Sequence, residues 1–168
     1  ILGGQARIGP RMSLAHFQAV VSDFAAKVGM PDMAADEEGY IAISFDGRPF
    51  HLQYDGDEDN VVAFVKLGEV EVDRLVEIYG MLLAANLFWQ GTNGATFSVE
   101  QDTGTVFLAD RKPAAALDAG RLNDWLEGFI NITEYWNRKL ELANSGGPIG
   151  DGTPPGGGEP LSPSRFML

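Results

Sequence analysis

Apolar residues recur along this chain at two spacings, and each spacing marks a kind of element. Leu14, Phe17, Val21, Phe24 and Val28 return every three or four residues, the period of an amphipathic helix. Ser13 is placed to cap it, Gly29 to end it, and Pro31 lies beyond. Ala15, Ala19, Ala25 and Ala26 leave its other surface small: a seat for another chain, or helix-favouring filler. After the polar turn at 36–39 the spacing drops to two. Ile41, Ile43 and Phe45 alternate, Asp46-Gly47 is a hairpin turn, and Phe50, Leu52 and Tyr54 alternate again. A second turn at 55–60 leads into a third strand over 61–67, which Gly68 ends. The pattern predicts a three-stranded meander.

Residues 72–89 form the longest strongly apolar run and predict the central helix. Leu75, Ile78, Leu82 and Trp89 fall on one side of it. Val72, Val76, Tyr79, Leu83 and Leu87 fall beside and beyond that side. A helix with two apolar sides must bury both: one on its own sheet, the other under a second layer from the same chain or another copy. Asp73 is the expected N-cap, and Glu77 suits the positive end of the helix dipole. Glu71, Asp73, Arg74 and Glu77 crowd the start and make membrane insertion costly.

Gln90–Gly94 breaks the helix. Strands follow at 96–100 and 105–109 around the turn 101–104. A last helix begins near 114–118 and runs to about Ala143, with Leu122, Trp125, Leu126, Phe129, Thr133, Trp136 and Leu140 on one face. Gly120 and Gly128 weaken its start. The order is helix, three strands, helix, two strands, helix. It predicts an α+β domain over 12–143, with helices packed on a twisted antiparallel sheet. Residues 1–11 read as an expression remnant or disordered leader. Residues 144–168 read as a flexible Gly/Pro-rich tail ending in the apolar trio Phe166-Met167-Leu168.

Charge narrows the partners. Lys and Arg number 12 against 24 Asp and Glu, a formal charge of −12. Nucleic acid and anionic membrane both need a basic face, so neither is expected as a partner. The chain has no cysteine, which excludes disulfides and thiolate metal sites. No secretory signal is visible, which makes the cytoplasm the expected compartment.

The residues assemble no catalytic, cofactor or metal constellation. His16 and His51 lack carboxylates at ligand spacing and read as ordinary surface or half-buried histidines. Asp55, Asp57 and Asp59 begin like a calcium loop. However, Asn60 stands where the bend needs glycine, and Lys66 where a bidentate glutamate belongs. Asp102-Thr103-Gly104 matches the aspartic-protease tripeptide, yet it sits between two strands where Asp and Gly form turns. Gly91–Gly94 lacks the Lys and Ser/Thr of a phosphate loop. The sequon Asn131-Ile132-Thr133 lies in mid-helix.

Several local patterns nevertheless resemble one family. They are the opening Leu14-x-x-Phe17 with Phe24-Ala-x-x-Val28-Gly29, the Gly47-x-Pro-Phe50-x-Leu52 hairpin, the Leu82-Leu-x-x-Asn86-Leu-Phe-Trp89 helix end before a Gly-rich turn, and a last helix carrying Trp125 and Trp136. Together with the element order they resemble the class I chaperones of bacterial type III secretion, the CesT/Tir-chaperone family, over roughly 12–143. The resemblance implies a homodimeric, ATP-independent chaperone without enzymatic activity or cofactor. It would hold the N-terminal region of a secreted effector in extended form for delivery to the secretion apparatus. The implied dimer contact is Leu75, Ile78, Tyr79, Leu82, Leu83 and Asn86. The implied effector patches draw on Phe17, Val20, Phe24, Ile41, Ile43, Phe45, Phe50, Leu52 and Phe64.

The physics is compatible with that reading, since an extended segment can add a strand to a sheet edge and seat alternate side chains in pockets. Strand phase cannot be read here, so Phe17, Phe24, Ile41 and Phe45, each taken singly, fit the core better than the surface. Two other readings stay open: a small-ligand or regulatory α+β module of longin-like or profilin-like build, and an enzyme whose groups converge only in space.

Overall fold

The computed structural model describes residues 13–149 and a short strand at 166–167. The expected leader at 1–11 and most of the expected tail lie outside the described residues. The elements are α1 (Leu14–Lys27), β1 (Tyr40–Phe45), β2 (Arg48–Asp55), β3 (Asn60–Glu69), α2 (Leu75–Asn86), β4 (Thr96–Glu100), β5 (Thr105–Pro113), α3 (Ala119–Asn144) and β6 (Phe166–Met167). The expected order of helices and strands is therefore present, with one further strand at the C-terminal end.

The sheet is antiparallel, in the order β4-β5-β3-β2-β1-β6. Asp46 and Gly47 both take positive φ, 48° and 78°, as a two-residue hairpin of this hand requires. The third strand runs past Gly68, the expected end, because the register with β5 shifts between Lys66 and Gly68 and resumes.

Alternation sorts the sheet into two faces. Ile41, Ile43, Phe45, Phe50, Leu52, Val61, Ala63, Val65, Val106 and Leu108 point inward and are buried. The helices cover this face. Phe17 of α1 stacks on Tyr54 at 5.8 Å, and Phe129 of α3 meets Phe50 edge-on at 6.0 Å. Trp136 of α3 is fully buried, lies edge-on to Phe97 at 4.9 Å, and donates its indole N–H to the Gly91 carbonyl at 2.7 Å. A buried indole needs such an acceptor, so this contact ties the last helix to the loop after α2.

Each long helix starts on a side-chain cap. Ser13 accepts from the His16 amide and Asp118 from the Arg121 amide. At the far end of α3, Arg74 donates to the Ala143 carbonyl at 2.9 Å, a further donor to an acceptor that the Gly146 amide also reaches. Asn144 clasps the β3–α2 connector, donating to the Glu69 carbonyl at 2.8 Å and accepting from the Glu71 amide at 3.0 Å. With Gly120 in its first turn behind the Asp118 cap, α3 runs unbroken through Gly128.

The central helix is shorter than the apolar run. Val72–Arg74 is a 3₁₀ turn, and Asp73 makes no cap hydrogen bond. After Asn86 the chain leaves the α-helix: Leu87 is extended, and Phe88 and Trp89 take φ of 51° and 54°. Left-handed backbone at two consecutive aromatic residues costs on the order of 1–2 kcal/mol each. Neither is buried in return, since Phe88 is 76% exposed and Trp89 55%.

Candidate interaction surfaces

The two apolar sides of α2 have separate fates. Ile78, Met81, Leu82 and Ala85 are buried against the protein's own sheet and last helix. Val72, Val76, Leu83 and Leu87 stand in water on the other side, 80, 87, 69 and 62% exposed. Val76 and Leu83, with half-buried Tyr79 between them, make one stripe along α2, and exposed Val72 before the helix and Leu87 just after it flank that stripe. Phe88 and Trp89 extend it at the C-terminal end. Exposed patches of this kind are uncommon on monomers and mark interaction sites.

The expected dimer residues therefore divide. Leu83 lies on the outward stripe. Leu75 and Tyr79 are half-buried at its margin. Ile78 and Leu82 are 0 and 2% exposed and belong to the core. Asn86 faces the protein's own sheet: its side-chain oxygen accepts from the Phe97 amide at 2.9 Å, and its nitrogen donates to the Phe97 carbonyl at 3.2 Å. Val72, Val76, Leu87, Phe88 and Trp89 are exposed on this side and lie outside the six residues expected at the contact. The second stripe was legible from its spacing. The choice between stripes was not, because either is apolar enough to face the sheet.

The expected effector patches divide more sharply. Phe17, Val20, Phe24, Ile41, Ile43, Phe45, Phe50 and Leu52 are all 6% exposed or less. They form the layer between helices and sheet and are not a surface in this fold. Phe64 alone points the other way. On that uncovered face Phe64 stacks on His51 at 4.7 Å, and His51 stacks on Tyr40 at 6.0 Å. The Tyr40 hydroxyl also meets His51 Nδ1 at 2.8 Å. Partial burial in this stack pushes the His51 pKa below its ordinary 6.5. Val62 and Phe107 are half-exposed on the same face. A groove of about 610 Å³ runs from this face to the aromatic end of α2, lined by Val62, Trp89, Thr96, Ala109 and Arg111. Trp89 is fixed there by its indole N–H, which donates to Thr96 Oγ1 at 3.1 Å.

The acidic turn at 55–60 folds on itself. Asp55 accepts from the Asp57 and Glu58 amides, so its carboxylate closes the turn. No described group of three or more His, Asp or Glu side chains is arranged to hold a metal ion. No described helix is long and apolar enough to cross a membrane.

The arrangement is thus one of surfaces: an outward apolar helix stripe, an uncovered sheet face with an aromatic ladder, and sheet edges. Known proteins share the fold. A chain of the ExsC–ExsE complex superposes with a TM-score of 0.64 at 25% identity, covering 76% of this chain and 95% of that one. A chain of the HopA1–SchA chaperone–effector complex gives 0.63 at 18% identity, covering 77% and 99%. The Yersinia pestis complex of the type III secretion chaperone SycH with a stable fragment of YscM2 gives 0.54 at 19% identity, covering 70% and 97%. The last two likenesses are of fold alone. No curated protein matches the chain in sequence. A family model, that of the Tir chaperone protein (CesT) family, matches residues 19–137, from α1 through most of α3. With more than half of its length matched, the chain belongs to the Tir chaperone protein (CesT) family.

Proposed function

We propose that this protein is a homodimeric, ATP-independent chaperone of the bacterial cytoplasm. It binds the N-terminal region of a type III secreted effector, keeps it soluble and extended, and assists its delivery to the secretion apparatus. It needs no cofactor and carries out no covalent chemistry. Family membership supports the chaperone role, and the solved structures of similar fold include a chaperone–effector complex and a type III secretion chaperone bound to a protein fragment.

The observation that carries the reading is the outward stripe of Val76 and Leu83 on α2, flanked by Val72 and Leu87. A second copy covers it about a two-fold axis, with Leu75 and Tyr79 at the rim. A stable contact of this kind buries on the order of 1,200–2,000 Å². The client lies on the uncovered sheet face, where Phe64, Val62 and Phe107 offer apolar contacts and the sheet edge offers backbone groups. Ordering a client costs roughly 1–2 kcal/mol per residue, so the covered surface must be extensive.

The test is co-expression with candidate effectors, limited proteolysis and molar mass by light scattering. A dimer protecting an N-terminal client segment of roughly 50–100 residues is expected. A monomeric mass with no protected segment overturns the reading.

A further inference from the structure

The sheet has two edges, and the backbone shows how each is occupied. At the β4 edge, Phe97 turns its N–H and C=O away from β5, and the Asn86 amide takes both. At the β1 edge the same accounting runs by alternation. The Gly39 carbonyl accepts from the Tyr54 amide and so points toward β2. Tyr40 then points outward, and its two groups are taken by Asp36: the Tyr40 amide donates to Asp36 Oδ1 at 2.8 Å, and its carbonyl accepts from the Asp36 amide at 2.9 Å. With a period of two, Ala42 and Ser44 also point outward. Ser44 is paired with Met167, and Phe45 with Phe166, in an antiparallel ladder. The C-terminal strand thus lies on the stretch of β1 that Asp36 leaves uncapped.

We propose that β6 is a tethered edge cap. It occupies the backbone positions on β1 that an incoming extended chain would take, so any chain adding a strand there must displace the protein's own residues 166–167. An uncovered edge strand is a template for pairing with other copies or unfolded chains. A cap on the same chain pairs intramolecularly, so it yields only to a segment that binds better. The device filters clients. A chain that offers only backbone pairing at Ala42 and Ser44 gains too little to displace the cap, whereas one that also covers the Phe64 face exceeds it. The client side of this statement rests on the chaperone reading above, but the cap itself does not.

The test uses the full chain and Met167→Pro, which removes the strand's amide donor opposite Ser44 and leaves the helices and core untouched. Hydrogen exchange at the Ser44 amide is expected to accelerate roughly tenfold, with the Phe97 amide at the other edge unchanged. A synthetic peptide of residues 161–168 added in trans is expected to bind Met167→Pro at least about tenfold more tightly than wild type, whose edge is already filled. Unchanged exchange at Ser44, or equal peptide affinity for both proteins, overturns the proposal. With a client segment as ligand, equal binding to both proteins removes the cap and leaves the chaperone reading standing. Binding to neither removes the chaperone reading.

Discussion

Asn86 holds Phe97 by both ends of its side-chain amide, accepting from the Phe97 N–H and donating to the Phe97 C=O. The side chain copies what a neighbouring strand would do, and it does so at the outermost strand of the sheet. It also fixes where α2 stops, because the chain must turn sharply at Leu87 once Asn86 is committed to β4. Replacing Asn86 with Ala removes two partly buried hydrogen bonds at about 1 kcal/mol each and strands the Phe97 groups. Asn86→Ala is therefore expected to lower stability by about 1–3 kcal/mol, read from the urea midpoint at unchanged slope. A change within error would mean that water replaces the clasp without loss.

The outward stripe predicts a contrast between adjacent leucines. Leu83 is 69% exposed and Leu82 2%. Leu83→Asp is expected to keep the circular dichroism spectrum of the native fold while light scattering falls to the monomer mass. Leu82→Asp places a charge in the core and is expected to unfold the protein, a loss of more than about 4 kcal/mol. Only the first substitution tests the dimer. A Leu83→Asp protein that remains dimeric moves the contact off this stripe.

These neighbours show how far the sequence could be read. Period-two and period-four patterns settle the type and order of the elements, because each element must bury a face and the face repeats with its geometry. Hence α1, the meander and α3 fall where the spacing puts them. Patterns do not settle which apolar face meets the chain's own sheet. For β1 and β2 a shift of one residue exchanges the faces, and the expected client residues Ile41, Phe45 and Leu52 prove to be core. Asn86 was expected at the dimer contact, but its amide is committed to Phe97, a tertiary partner that no local spacing encodes. The left-handed pair Phe88-Trp89 was illegible for a different reason, since bulky aromatics disfavour that conformation and only the surrounding structure imposes it.

Gly91 tests the packing of that same corner. A Cβ built on it would lie 2.8 Å from Ala85 Cα and 2.9 Å from Ala85 Cβ, against rigid backbone of α2. Its carbonyl is also the acceptor for Trp136. Gly91→Ala is expected to push the loop outward, lengthen the indole hydrogen bond and cost about 1–3 kcal/mol. Near-ultraviolet circular dichroism and tryptophan emission report the change, and an unaltered spectrum with unaltered stability would show that the loop yields freely.

His51 predicts a pH dependence whose sign follows from its surroundings. Its ring lies between Tyr40 and Phe64, and partial burial lowers its pKa below the ordinary 6.5. In the unfolded chain the ring binds a proton as the pH falls through about 6.5, whereas the folded protein resists protonation until a lower pH. The unfolded state then carries more protons than the native state, so stability falls with pH across that interval. It levels once the native ring protonates. Asp118 contributes in a separate window. Its carboxyl accepts the Arg121 amide, which lowers its pKa from 3.8, so its stabilisation is present at neutral pH and is lost only in more acidic solution. Denaturant midpoints between pH 7.5 and pH 5 should therefore decline for wild type more than for His51→Gln, which cannot titrate. The same protonation makes both ring nitrogens donors, so Nδ1 can then only donate to the Tyr40 hydroxyl, and it places a positive charge on the uncovered face. Client affinity on that face should weaken over the same interval in wild type and stay level in His51→Gln. Parallel curves for the two proteins would show that the ladder is already solvated and that His51 does not set the property of the surface.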